Sequence, residues 1–213
     1  LRALKALGHE AIFFDDRDFI LPGRIREKIP FLYRWDLRRL NRQMIAVANR
    51  EKPELCLCVG GYRITSETLT KFKALGIKTA LWTTDAPRPE FRQVIATAPC
   101  YDHIFCAGTE AMDILSAEGR LNTVWLPFAC DPELHRPVEL RDEDQSLFPE
   151  DIVFVGAYYP NRWQILKEIV GKYNIAIYGP GWQVVIDNRN RHAIHAGPVP
   201  PSTWVKMYSA ARI

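Results

Sequence analysis

Short apolar runs closed by glycine or turn residues, with helix-length segments between them, restrict this chain more than any other feature. Glu54 to Val59 is apolar on both faces and runs into Gly60-Gly61. Lys78 to Trp82, Tyr101 to Cys106 and Asp151 to Val155 repeat the pattern, the last closed by Gly156. Runs of this length read as strands, and strands apolar on both sides belong in parallel sheets covered by helices. Asp36 to Arg50, between the early runs, carries Leu37, Leu40, Met44, Ile45 and Val47 on one side, the pattern of a helix packed on a sheet. Alternation of the two element types predicts an α/β chain with parallel sheets.

The alternation breaks once. Residues 128–150, rich in proline and charge and without a period, read as an interdomain linker. Two Rossmann-like, doubly wound domains are therefore expected, at residues 1–127 and 151–213. In the first, Leu1, Leu4 and Leu7 predict a helix and Ala11 to Phe14 a strand. Residues 15–35 predict a long loop with room for a short helix. Ser66 is the expected cap of the next helix, which leads to Lys78 to Trp82. In the second domain, strands are expected at 151–155, 174–178 and 192–196, with helices over 160–171 and 202–210. The opening helix and the closing Ala-Ala-Arg-Ile both read as cuts through a longer chain.

Residues 151–162, DIVFVGAYYPNR, carry the clearest chemical signal. A buried strand ends at Gly156, a helix starts near Pro160, and Arg162 lies in its first turn. Glycine lets the backbone turn closely, helix N–H groups face an anion, and arginine adds a planar clamp. An ordinary strand-to-helix connection with Arg162 in water is the competing reading. Asp85, in TTDAPRP, follows a strand, where open α/β sheets place their ligands.

Composition narrows the class. A hydrophobic fraction of 47% and a charged fraction of 25% describe a globular chain, and no apolar run is long enough to span a bilayer. The net charge of +3 gives no case for nucleic acid and suits an anionic small ligand or a membrane surface. Arg24, Arg26, Lys28, Arg34, Arg38, Arg39 and Arg42 do cluster, interleaved with Phe31, Tyr33 and Trp35. They read as a solvated face, or as a patch for an anionic acceptor or a membrane. The five cysteines include no CxxC pair, so reduced thiols and a cytoplasmic location are expected. His192 and His195 fall on opposite faces of a strand and no zinc-spaced cluster is present, so no metal is expected. No G-x-S-x-G elbow or Walker A sequence occurs.

A series of phrases then carries a resemblance: LGHEAIFFD, KPELCLCVGG, IKTALWTTDAP, YDHIFCAG, VWLPFACDPELHRP, DIVFVGAYYPNRWQIL, IAIYGPGW and HAGPVPPSTWVKMYSAARI. In this order the chain resembles the glycosyltransferase-like proteins of the spore maturation protein CgeB family, which are similar to GT-B glycosyltransferases. The resemblance implies an N-terminal acceptor domain and a C-terminal domain for a nucleotide-diphosphate-sugar donor, with a ligand cleft between them. It implies Gly156 and Arg162 near the diphosphate, Gly179 and Trp182 lining the same crevice, and Gly197, Pro198 and Val199 meeting the base through backbone groups. It also implies that no metal or other cofactor is needed to hold the diphosphate.

On this basis the expected activity is sugar transfer to an unknown acceptor. Asp85 is the candidate base, provided the reaction inverts configuration; a turn-starting role before Pro87 competes. Arg88 would bind acceptor or phosphate, or lie in water. Trp182 reads equally as a stacking platform or as core. Two other functions stand beside the transferase: a non-catalytic nucleotide- or sugar-binding protein, and a nucleotide-sugar epimerase. Nucleic acid is not an expected partner, whereas a peripheral membrane contact is allowed.

Overall fold

The computed structural model describes residues 2–18, 20, 28–85, 91–119 and 122–213. They form two compact units, Leu1–Ala129 and Cys130–Ile213. Each is a parallel sheet with helices packed against it.

In the first unit the strands are β1 (Leu55–Val59), β2 (Lys78–Thr83), β3 (His103–Cys106) and β4 (Thr123–Trp125), paired in that order and all parallel. The helices are α1 (Arg2–Ala6), α2 (Pro30–Glu51), α3 (Ser66–Ala74), α4 (Phe91–Thr97) and α5 (Thr109–Ala117). Leu69 and Phe72 of α3, Val94 of α4 and Leu115 of α5 pack on Leu81, Ile104 and Cys106 from the sheet. Burial of a side chain of this size contributes about 1.5–3 kcal/mol each.

Several expectations for this unit need correcting. Residues 11–14 form no strand; Ile12 and Phe13 are exposed, and among the described residues no backbone pairs with this stretch. Helix α2 starts at Pro30, inside the stretch read as loop, because proline at the first helical position has the right φ and lacks only an N–H the helix does not use there. Thr65, rather than Ser66, caps α3, its hydroxyl accepting from the Thr68 N–H at 3.3 Å. Strand β1 is buried on one face only. Cys56 and Cys58 turn inward, while Leu55, Leu57 and Val59 are exposed, since β1 is an edge strand and no described element covers that side.

The second unit holds β5 (Ile152–Val155), β6 (Ile175–Gly179) and β7 (Ile194–Ala196), again parallel and in sequence order. One face packs Leu166, Ile175, Ile177, Ile194 and the fully buried Trp182. The other is covered by α8 (Pro201–Ala210) through Val205 and Met207. Helix α7 (Pro160–Leu166) is shorter than expected, and the chain from 167 to 173 runs on in turns.

From Cys130 onward the stretch read as linker belongs to this unit. It includes α6 (Asp142–Leu147) and is fastened to α8. His135 stacks on Trp204, the Val138 N–H donates to Ser209 Oγ at 3.0 Å, and Lys206 Nζ lies 2.7 Å from Asp144 Oδ1. After α8 the chain returns to the other edge of β5. Ile213 N–H donates to the Asp151 carbonyl and its own carbonyl accepts from Val153 N–H, the bonding pattern of a parallel pair. Strand β5 thus has neighbours on both sides, and its carboxyl end lies where the winding of the sheet reverses.

Candidate functional site

Three adjacent strands of the second unit end in glycine at the same edge, Gly197 lying one residue beyond Ala196, the partner of Gly179. Gly156 follows β5, Gly179 closes β6 and Gly197 follows β7. Gly156 N–H donates to the Tyr178 carbonyl at 2.9 Å, and Gly197 N–H donates to the Gly179 carbonyl at 2.8 Å. Gly179 has φ +141°, and a Cβ there would overlap the Gly156 carbonyl. Gly197 has φ +144° with open space where its Cβ would be. The result is a ledge of bare backbone on the carboxyl edge of the sheet, beside the point where the winding reverses. Open α/β sheets hold ligands in that crevice.

Arg162 borders the ledge. Its Nη1 donates to the Ala157 carbonyl at 2.9 Å and lies 3.2 Å from where a Cβ of Gly156 would stand. The guanidinium carbon lies 4.8 Å from the Tyr159 ring centre and 5.7 Å from that of Phe154. Two rings and one carbonyl therefore hold an exposed cation at the mouth of the Gly156 turn, leaving other N–H groups for an anion.

One rung below the ledge, Tyr178 and His195 pair across β6 and β7 and stack with ring centres 4.5 Å apart at 11°. Burial, followed by the nearby Glu150 charge, raises the pKa of the Tyr178 hydroxyl. The sequence reading missed this pair. Its signal is an aromatic residue one or two places before a strand-ending glycine on two neighbouring strands.

In the first unit, Asp85 is exposed just beyond β2, and its Oδ2 accepts from Tyr62 Oη at 3.1 Å. Tyr62 follows Gly60 and Gly61 at the end of β1, and both glycines have positive φ. A Cβ at Gly60 would lie 2.9 Å from the Tyr62 ring, and one at Gly61 2.5 Å from Leu81 Cδ1. The loop that carries Tyr62 is pinned by the buried Asn41. Asn41 Nδ2 donates to the Arg63 carbonyl at 2.9 Å, and its Oδ1 accepts from Thr65 N–H at 3.1 Å and Thr68 Oγ at 2.7 Å. Tyr62, also missed from the sequence, is thus a rigidly mounted neighbour of Asp85.

With this geometry in hand, the chain can be compared with known proteins. No protein-family model matches it. It is 26% identical over 169 residues to the spore protein CgeB of Bacillus subtilis (strain 168), covering 76% of this chain and 51% of that protein. Among solved structures, a UDP-N-acetylglucosamine 2-epimerase matches with TM-score 0.54 and 16% identity, covering 82% of this chain and 54% of its own. The MnaA–UDP complex of S. aureus matches with TM-score 0.50 and 13% identity, covering 81% and 56%. The fold is of the GT-B type. The chain spans about half the length of the proteins it matches, and its relationship to CgeB is distant.

Within this GT-B-type fold, Gly156, Gly179, Gly197 and Arg162 come together on one strand edge, with Pro198 and Val199 in the loop that continues from Gly197. Asp85 belongs to the other unit. Arg88 lies outside the described residues. Trp182 needs correcting as a stacking platform: its indole is fully buried, edge-on to Phe154, Tyr158 and Trp163. Its Nε1 donates to the Gly156 carbonyl at 2.7 Å. Trp182 therefore shapes the ledge from beneath. Among the described residues no group of three or more His, Cys, Asp or Glu side chains is placed to hold a metal ion.

Proposed function

We propose that this chain is part of a CgeB-like glycosyltransferase that moves a sugar from a nucleotide-diphosphate donor to an acceptor hydroxyl. The observation that carries the reading is the ledge of Gly156, Gly179 and Gly197 with Arg162 at its border. A diphosphate needs close backbone approach and a fixed cation, and the glycines and Arg162 of this edge support both. The Gly197-Pro198-Val199 turn would meet the base through backbone groups. Asp85, steadied by Tyr62, would take the acceptor proton in an inverting transfer, with Arg88 on the acceptor side. The UDP in the MnaA complex supports a nucleoside diphosphate as the ligand class.

A nucleotide-sugar epimerase is the second reading, favoured by the solved structures the chain resembles. It would convert the donor with no acceptor present, and a transferase would not.

The test is thermal unfolding with UDP, GDP, ADP, CMP and dTDP, each in chelator, on the wild type and on Arg162→Ala. A ligand at about 100 times its dissociation constant stabilises by about 2.7 kcal/mol, a shift of several degrees at this chain length. We expect one nucleotide to give this shift and Arg162→Ala to remove most of it. No shift with any nucleotide sinks the proposal. An equal shift in Arg162→Ala sinks the phosphate assignment alone.

A further inference from the structure

Helix α2 is two-sided in an unusual way. Asp36, Leu40, Asn41 and Ala48 are buried against the first unit. On the outward side, Phe31, Arg34, Trp35, Arg38 and Arg42 fall within an arc of about 100° at 3.6 residues per turn. Phe31 is 72% exposed and Trp35 48%. Arg34, Arg38 and Arg42 have no hydrogen-bond or ion-pair partner among the described residues, and the arc contains no acidic residue. Arg39, by contrast, is turned away and engaged by Asp36, Gln43 and the Asp18 carbonyl.

We propose that this outward face of α2 docks on an anionic lipid bilayer. Two aromatic rings left in water beside three unpaired arginines match what an interfacial helix presents. Rings sit at the headgroup–acyl boundary, arginine stems follow them, and the guanidinium groups reach lipid phosphates and carboxylates. The contact is peripheral, since no helix among the described residues is long and apolar enough to cross a membrane. Nucleic acid fits less well: the overall charge is only +3, and the ring-bearing face is short. This inference is independent of the proposed activity.

Co-sedimentation of the chain with vesicles tests it. We expect binding to phosphatidylcholine vesicles containing phosphatidylserine, little to phosphatidylcholine alone, and release by salt. Each arginine near an anionic surface contributes roughly fivefold to binding, so Arg34→Gln/Arg38→Gln/Arg42→Gln should bind about 100-fold more weakly. The same charge removed elsewhere, by Lys172→Gln/Arg189→Gln/Arg191→Gln, should cost far less. Brominated lipid should quench a fluorescence component that Trp35→Phe lacks, and circular dichroism should show every variant folded. Equal binding to neutral vesicles, undiminished binding by the α2 variant, or equal loss in the control variant overturns the proposal. Tight binding of RNA without quenching of Trp35 by lipid would make the face a polyanion site and overturn it as well.

Discussion

The Gly156 carbonyl occupies the space that a Cβ on Gly179 would need, with the carbonyl carbon only 2.7 Å from that position. Two parallel strands therefore end closer together than side chains allow. Gly179→Ala must push this carbonyl aside and also hold alanine at φ +141°. It should destabilise the second unit by about 3 kcal/mol or more. Gly197→Ala meets only the backbone strain at φ +144° and should cost about 1 kcal/mol. Urea unfolding of both variants checks the contrast, and equal losses would contradict it.

Trp182 links the core to the ledge through its Nε1 bond to Gly156. Trp182→Phe keeps most of the apolar bulk but leaves the part-buried Gly156 carbonyl without this donor, at a cost of about 1–3 kcal/mol. Trp182→Ala adds a cavity and should cost about 3–5 kcal/mol. If Trp182→Phe unfolds at the wild-type urea midpoint, the hydrogen bond contributes nothing.

Asn41 satisfies groups on three residues of the 63–68 stretch while itself nearly fully buried. Asn41→Leu leaves the Thr65 N–H and the Arg63 carbonyl without this partner and should destabilise the first unit by about 3 kcal/mol. Amide exchange at residues 61–65 should rise more than at β2. Uniform change across the unit would argue against a local clamp.

Acid should undo the fastening of 130–150 to α8. The Lys206 ammonium, helped by the Arg141 N–H, holds the Asp144 carboxyl below its usual value of 3.8, against the opposing effect of burial. The folded pKa is thus lower than the unfolded one. The stability this adds is present above the unfolded value and disappears as pH falls through the folded value. Asp144→Asn should melt below wild type at pH 6, and the two should converge once the pH has fallen below the folded value. A gap in melting temperature that stays constant with pH would exclude this linkage.

The sheets were readable because apolar runs such as residues 152–155 and 175–178 need no partner to be recognised. Residues 11–14 look the same in sequence, yet a strand also requires a neighbour for its backbone groups, and periodicity carries no information about neighbours. Pro30 misled for a different reason. Near other prolines and glycines it reads as loop, although its ring suits a helix start. Glycines could be placed at strand ends from spacing alone. Trp182 and Tyr62 could not, because an aromatic residue near a strand end is written identically whether it is buried or hydrogen-bonded.

The row formed by Gly156, Gly179 and Gly197 has no side chains to exchange. Substitution there can break the protein but has nothing with which to retune it. On the proposed reading, ligand preference falls to Arg162 and to the loops that leave the row: 157–159, 180–181 and 198–200. Those short segments are where diversification or deliberate redesign has room to work, and grafting them between relatives would transfer preference without disturbing the sheet that presents them.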